Sequence, residues 1–270
     1  MLKKTIWYSV FTVAIAGIVV LAGGFYQALK VTTESSPYQP AKVIMAQTSG
    51  SSTEAELKNT NSLQLLILGD SIAKGTGDEK GKGFSTDLPQ AIKTDTPKDI
   101  LVTDAGINGL ESQGLLAQLQ NGSLNKPLAG ANFILISIGG NDLRTILSLN
   151  PQAQEDEFKI KQDSYLSNLK QVLTILRSSN PNAYIVFLGL YNPYEKTTTE
   201  EEVSLWQEWN YNTEQLIESN PKAICIPSDD LMKFNLGKYL APDGLHPNSA
   251  GYLALSDRIR KSLGGVIAGM

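Results

Sequence analysis

The sequence predicts a three-layer α/β/α sandwich built on a five-stranded parallel sheet. Five short apolar runs recur after residue 62, and each is nearly continuous, as expected of parallel strands covered on both faces. Patterns typical of amphipathic helices separate these runs, and strands that alternate with helices form right-handed crossovers. The predicted strands are Leu63–Leu68, Ile100–Thr103, Phe133–Ile138, Tyr184–Leu188 and Ala223–Ile226.

The helical patterns are clearest in the second half of the chain. An apolar stripe at helical spacing covers residues 166–176 and stops before Asn180, which precedes a proline. A second helix is predicted over about Glu201–Glu218, because acidic residues at its start suit the helix dipole. The last is predicted over about Ser249–Leu263. These elements assign residues 63–265 to one folded domain.

The N-terminus has a different character. Residues 6–28 contain no charged side chain, and Lys3 and Lys4 precede them. A stretch of about 20 apolar residues is long enough to cross a bilayer. We therefore interpret residues 1–30 as a membrane anchor, with a cleaved signal segment and secretion as the alternative. The two lysines predict that the amino end lies inside and the rest of the chain outside.

Residues 31–62 connect this segment to the folded domain. They are rich in Ser, Thr, Gln and Pro and include the run TSGSSTE. Such a composition cannot bury much apolar surface. We expect a flexible stalk that holds the domain away from the membrane.

Composition excludes several classes of protein and site. The net charge of −4 gives no reason to expect a nucleic acid partner. The chain has one cysteine, Cys225, and one histidine, His246. An internal disulfide is therefore impossible, and a zinc site rich in Cys and His ligands is excluded. Cys225 falls in the fifth predicted strand, where a small buried hydrophobe is expected.

Functional sites in parallel α/β sheets lie at the carboxyl ends of the strands, which selects four loops. The first strand ends in Gly69-Asp70-Ser71. A serine at this turn points away from the sheet, beside helical N–H groups that stabilise negative charge. A helix cap by Asp70 or Ser71 explains the triplet equally well. The third strand ends in GGND, where the Asn141 amide can donate to an oxyanion or begin a helix.

The other two loops follow the second and fifth strands. The second strand ends in a glycine-rich turn, residues 104–109, whose backbone N–H groups can add a donor. In the stretch DGLHPN, Asp243 precedes His246 by three residues. That spacing lets the carboxylate reach the imidazole Nδ1–H and leaves Nε2 free as a base for a serine nucleophile. A lone histidine is otherwise structural or exposed.

These stretches resemble the SGNH hydrolases, also called GDSL-type lipases and esterases, over about residues 63–263. The resemblance implies a flavodoxin-like SGNH fold. It also implies roles for individual residues: Ser71 as nucleophile, His246 as general base and Asp243 as the acid that orients it. The oxyanion hole would be formed by the Ser71 N–H, the Gly109 N–H and the Asn141 amide.

Two positions depart from the family's pattern. Ile72 follows the serine where the GDSL name has leucine, a conservative change at a packing position. Leu110 follows Gly109 where many relatives carry an aspartate. The turn is then held differently, with Glu111 as the candidate replacement. Gly106 is the other candidate for the second oxyanion donor.

The resemblance implies a serine esterase that cleaves lipid or carbohydrate O-acyl esters without a metal or cofactor. Asp70 and Tyr191, which follow the first and fourth strands at the same edge, are the candidate substrate contacts. Trp206 and Trp209 are predicted to pack in the core, with the wall of an acyl or sugar pocket as the alternative. The alternative function is a catalytically weak binding module, tethered to the surface, on the same fold.

A phosphate-binding loop is a further alternative for the stretch GTGDEKGKG. It has the glycines and lysines of such loops. Its Lys82 is followed by Gly83, however, whereas the phosphate-binding motif requires Ser or Thr there. The stretch is therefore interpreted as a flexible surface loop over the site.

Overall fold

The computed structural model of the chain describes residues 62–147, 149–195 and 197–270. Five strands in these ranges form one parallel sheet in the order β2-β1-β3-β4-β5. The predicted fold class is thereby confirmed. The strands are β1 (Ser62–Gly69), β2 (Asp99–Gly106), β3 (Phe133–Ser137), β4 (Tyr184–Leu188) and β5 (Ala223–Ile226).

Helices connect the strands and cover the sheet. They are α1 (Ser71–Lys74), α2 (Phe84–Ile92), α3 (Ser112–Gln120), α4 (Asn125–Gly130), α5 (Gly140–Leu147), α6 (Pro151–Ser179), α7 (Glu200–Glu218), α8 (Asp229–Lys233), α9 (Leu236–Tyr239) and α10 (Ser249–Ile267). A capping box formed by Thr199 and Glu202 begins α7. The α10 helix continues past the predicted end at Leu263, because Ile267 is also buried in the core.

The predicted membrane segment, residues 1–30, lies outside the described residues, as does the predicted stalk up to residue 61. Of the helices within the described ranges, none combines the length and the apolar character that a bilayer crossing requires.

The core consists of two apolar layers, one on each face of the sheet. Side chains of β1 alternate between them, as the twofold period of a strand requires. Leu63, Leu65 and Ile67 pack against α2 and α10. Leu66 and Leu68 pack against α3, α5, α6 and α7. This interior strand is therefore buried on both faces, as its continuous apolar run predicts.

The edge strand β2 differs from the prediction of two covered faces. Ile100 and Val102 pack onto the layer that contains α2 and α10. On the other face, Leu101 remains 51% exposed and Thr103 is exposed too. Helix α3 contacts this face near the carboxyl end of β2, where Ala105 packs on the core and the Gln118 side chain donates to the Ala105 carbonyl. An edge position thus leaves part of an apolar run in solvent.

A close approach of β1 and β3 ends the first strand. Gly69 has a φ of +127°, and a Cβ there would lie 1.9 Å from the Ser137 carbonyl oxygen. The next residue, Asp70, donates its N–H to that same carbonyl at 2.9 Å. Glycine is therefore required at the point where the chain turns into α1.

We expect Gly69→Ala to destabilise the protein by about 4 kcal/mol or more, because the methyl group must displace the β3 backbone. Gly81→Ala is the matched control, since Gly81 also has a positive φ, +69°, but has open space around its Cβ position. The control should lose only about 1–2 kcal/mol. Urea unfolding measures both changes, and equal losses in the two variants would contradict the steric argument.

Candidate active site

Three side chains form a continuous hydrogen-bonded chain at the carboxyl edge of the sheet. The Ser71 Oγ lies 2.8 Å from Nε2 of His246. The other ring nitrogen, Nδ1, lies 2.7 Å from Oδ2 of Asp243. Ser71 is the first residue of α1, whereas His246 and Asp243 belong to the loop that precedes α10. Residues 175 positions apart in the chain are thus brought into direct contact.

The Asp243 carboxylate is held by its own loop. Its Oδ1 accepts the backbone N–H groups of Leu245 at 2.9 Å and of His246 at 3.0 Å. Partial burial acts to raise the pKa of Asp243, but the hydrogen bonds from the His246 ring and from the two backbone N–H groups outweigh it and lower the pKa to about 2. Asp243 therefore stays ionised and keeps the imidazole ring in one orientation.

The start of α1 presents both the serine hydroxyl and a backbone donor. Asp70 caps this helix, because its Oδ1 accepts the Ile72 N–H at 3.0 Å. Among the described residues, no acceptor takes the N–H of Ser71. The two interpretations of the triplet are compatible, since Asp70 caps the helix and Ser71 faces His246.

Asn141, at the start of α5, is fixed beside the serine. Its Nδ2 donates one hydrogen to the Leu110 carbonyl at 2.9 Å, which leaves the second N–H for another acceptor. Asn141 and Ser71 line the same pocket. The amide is therefore oriented by the neighbouring loop before any ligand binds.

The two candidates for the second backbone donor differ in their hydrogen bonds. The Gly106 N–H donates to Oδ1 of Asp104 at 2.9 Å, and the Gly106 backbone packs directly against Lys74 of α1. Gly109 lies in an exposed turn with a φ of +75°, and its N–H has no acceptor within the described ranges. Gly109 is thus the candidate whose N–H remains available.

The turn after β2 is held from α5. The buried carboxylate of Asp142 accepts the Ser112 hydroxyl at 2.6 Å and the Ser112 N–H at 3.0 Å. The expectation that Glu111 holds this turn is wrong, because Glu111 is exposed and its side chain makes no capping bond to α3. The turn is held instead by Asp142, which lies on α5, 30 positions further along the chain.

A mainly apolar pocket opens beside Ser71. Trp206 and Trp209 of α7 are both buried in the core, as predicted. Trp209 stacks on Tyr165, and Trp206 also lines the pocket. The polar lining includes Asp70, Ser71, Asn141, Arg144 and His246. The apolar lining includes Ile72, Leu188, Leu190, Tyr191, Tyr194, Trp206 and Leu245.

The two predicted substrate contacts, Tyr191 and Asp70, both line this pocket, but each is already hydrogen-bonded to other residues of the protein. The Tyr191 hydroxyl donates to the Leu245 carbonyl at 2.6 Å and so supports the loop that carries His246. Asp70 is only 2% exposed. Burial raises its pKa to about 7, although hydrogen bonds from Ile72, Ala73 and Ser137 act in the opposite direction.

The loop at residues 75–83 supports the site in a way that the sequence analysis missed. The Asp78 carboxylate accepts three N–H groups of its own loop and the hydroxyl of Ser249, at the start of α10. A Cβ at Gly77 would lie 2.6 Å from Cβ of His246. The loop is therefore ordered by an internal carboxylate and packs against the histidine loop. The sequence signal for this ordering is Asp78, an aspartate that lies between glycines in the loop.

Cys225 is buried in the core, as predicted, and does not line the pocket beside Ser71. Burial raises the pKa of its thiol to about 12, so the group stays protonated and unreactive. Within the described ranges, no three His, Cys, Asp or Glu side chains come together to hold a metal ion.

A profile of the GDSL-like Lipase/Acylhydrolase family matches residues 67–254. The spore germination lipase LipC of Bacillus licheniformis is 26% identical over 217 residues, which cover 77% of this chain and 99% of LipC. The uncharacterised protein YpmR of Bacillus subtilis is 26% identical over 226 residues, covering 82% and 89%. The crystal structure of the lipase Lip_vut3, from a goat rumen metagenome, superposes with a TM-score of 0.69 at 26% identity, covering 76% and 99%.

The raised pKa of Asp70 predicts a stability that depends on pH. The unfolded chain releases this proton near pH 3.8 and the folded protein near pH 7, so stability falls as the pH rises through this window. Asp70→Asn keeps a capping side chain and removes the titration. We expect its stability to exceed the wild type's by a margin that grows to about 4 kcal/mol at pH 7.

Urea unfolding at several pH values between about 4 and 7 measures this margin. Asp156→Asn, at an exposed position on α6, is the matched control. A margin for Asp70→Asn that stays constant with pH would show that its carboxyl group does not titrate in this window.

Proposed function

Because the chain belongs to the GDSL-like lipase/acylhydrolase family and is a carboxylic ester hydrolase, we propose that it works as a serine esterase through an acyl-enzyme on Ser71. The observation that carries this proposal is the hydrogen-bonded chain from Ser71 through His246 to Asp243. Both contacts have the length that proton transfer to a base and orientation of that base require.

The proposed reaction begins when Nε2 of His246 takes the Ser71 proton as Oγ attacks the ester carbonyl. The ionised Asp243 stabilises the imidazolium that forms. Negative charge develops on the carbonyl oxygen, where the Ser71 N–H, the Gly109 N–H and the free Asn141 N–H would donate. The imidazolium then protonates the leaving alcohol, and water attacks the acyl-enzyme with His246 again as base.

We assign the natural substrate to esters with an apolar acyl chain, such as those of lipids. The pocket beside Ser71 supports this choice, because its lining surface is mainly apolar. Two of the proteins compared above are described as lipases, LipC and Lip_vut3. A carbohydrate O-acyl ester, with a short acyl group and a large polar alcohol, is the alternative that the assay below separates.

The proposed location is the outer face of a cell membrane. Residues 1–30 would anchor the chain, and residues 31–61 would act as the stalk, since residue 62 already belongs to β1. The support is the uncharged stretch 6–28 behind two lysines. Cleavage of the segment and secretion of the domain is the alternative.

The first test is hydrolysis of p-nitrophenyl acetate and p-nitrophenyl octanoate by the purified protein and by Ser71→Ala. We expect Ser71→Ala to lose about 10⁴-fold or more in kcat, because no other group can form the acyl-enzyme. Ser164→Ala, at an exposed position on α6, should keep the full rate. A faster reaction with octanoate would support the apolar acyl chain, and a strong preference for acetate would favour carbohydrate O-acyl esters.

Equal hydrolysis by the wild type and Ser71→Ala would refute the acyl-enzyme on Ser71. A folded wild type that is inert toward both esters, and toward acylated lipids and polysaccharides, would favour the surface-tethered binding module.

The anchor is tested by expressing the full chain and washing the membranes at alkaline pH. We expect the protein to stay with the membrane, because a spanning apolar helix resists extraction. Protease added to intact cells without their wall should then degrade the domain. Release of a shortened chain into the medium, with a new amino end after residue 20, would establish cleavage and secretion instead.

A further inference from the structure

Arg144 places a positive charge at the rim of the pocket that contains the serine. It follows Asn141 by three residues on α5, so the two side chains lie on the same side of the helix. Arg144 lines the same pocket as Ser71 and His246, and its side chain is exposed to solvent. A guanidinium group is thus accessible to any ligand that enters the pocket.

The bonding of Arg144 differs from that of the other three arginines of the chain. Arg177 donates to two backbone carbonyls, and Arg258 and Arg260 pair with aspartates. Within the described residues, Arg144 has no carboxylate within 4.0 Å, and its one contact is Oδ1 of Asn141 at 3.5 Å. Most of its five N–H donors therefore remain available to a ligand.

The charges around this pocket favour an anion at Arg144. Asp70 is the one carboxylate that lines the pocket among the described residues, and it is buried beneath the site, 2% exposed. It does not pair with Arg144. The guanidinium group presents a planar fork of donors that matches the two oxygens of a carboxylate or phosphate.

We propose that Arg144 binds an anionic group, a carboxylate or a phosphate, of the ester substrate. The inference rests on the proposed esterase function and narrows it to amphiphilic esters. Their apolar acyl chain would occupy the pocket lined by Trp206 and Leu190. The anionic group would lie at the rim, either on the acyl chain or on the alcohol part.

A second role for Arg144 would be to orient the Asn141 amide through the contact with its Oδ1. That positioning role would change the hydrolysis of all esters alike, whether neutral or anionic. Recognition of an anion would change the ratio of anionic to neutral kcat/KM. The ratio therefore separates the two roles.

The experiment compares two matched pairs of esters. In the first pair, p-nitrophenyl hexanoate and the p-nitrophenyl monoester of adipic acid differ only in a carboxylate on the acyl chain. In the second pair, monohexanoylglycerol and monohexanoylglycerol phosphate differ in a phosphate on the alcohol. Each is measured with the wild type, Arg144→Gln, Arg144→Lys and the control Lys161→Gln, which removes an exposed charge of α6 outside the pocket.

We expect the wild type to prefer the anionic ester in one pair at least, and the pair identifies the source of the anion. Arg144→Gln should lower the anionic-to-neutral ratio about tenfold to a hundredfold, chiefly through KM, as loss of a charge-assisted hydrogen bond predicts. Arg144→Lys should restore part of the ratio, and Lys161→Gln should leave it unchanged. Raising the salt from about 0.05 M to about 0.5 M should also reduce it.

Two results would overturn the inference: no preference for the anionic ester in either pair, or an equal loss for neutral and anionic esters in Arg144→Gln. Failure of the proposed function is distinguishable, because the wild type would then hydrolyse none of the four esters, neutral or anionic. Calorimetric binding of monohexanoylglycerol phosphate to Ser71→Ala, with and without Arg144→Gln, decides that case. Binding at least tenfold weaker in the double variant supports the anion site, whereas unchanged or absent binding rejects it.

Discussion

The close contact between the ends of β1 and β3 is the constraint on which the rest of the site depends. The Gly69 carbonyl accepts the Ile107 N–H at 2.9 Å, and the next N–H, that of Asp70, donates to the Ser137 carbonyl at the same distance. The end of β1 is thus hydrogen-bonded on both sides, to the chain that leaves β2 and to β3. At position 69 only glycine fits, because a Cβ would collide with the β3 backbone. Ser71 follows directly, so its position is set by the sheet itself and not by a mobile loop.

The remaining groups reach Ser71 through bonds between loops. Asp142 holds the start of α3, and the Asn141 amide holds the Leu110 carbonyl, so the second and third loops form one unit. The loop that carries His246 is held at two places. Asp78 accepts the hydroxyl of Ser249, which directly follows this loop, and the Tyr191 hydroxyl donates to the Leu245 carbonyl within it. Hydrogen bonds that are already formed need no rearrangement when charge develops on a substrate, which is the condition for electrostatic stabilisation of a transition state.

The sequence predicts the parts of the site that depend on local spacing. Asp243 precedes His246 by only three residues, so their pairing can be predicted from the sequence. The end of each strand can likewise be predicted from the end of its apolar run. The role of Asp142 in holding the turn after β2 could not be found in this way, because it bonds Ser112 from 30 positions away. Proximity in sequence favours Glu111 for this role, but the residue that fulfils it is distant in sequence. The exposure of Leu101 likewise depends on strand order, which an apolar run does not contain.

The charged groups of the site differ in solvent exposure, and their exposure determines the role that each can have. Asp70 is buried beside the serine, where desolvation raises its pKa to about 7 and costs stability at neutral pH. Asp243 is half-exposed and bonded by three N–H groups, which keep its pKa near 2 and make it a permanent anion beside His246. Arg144 lies outermost, with no carboxylate partner among the described residues. A fixed anion that orients the base and a solvated cation that meets the substrate can coexist in one small site because they do not pair with each other.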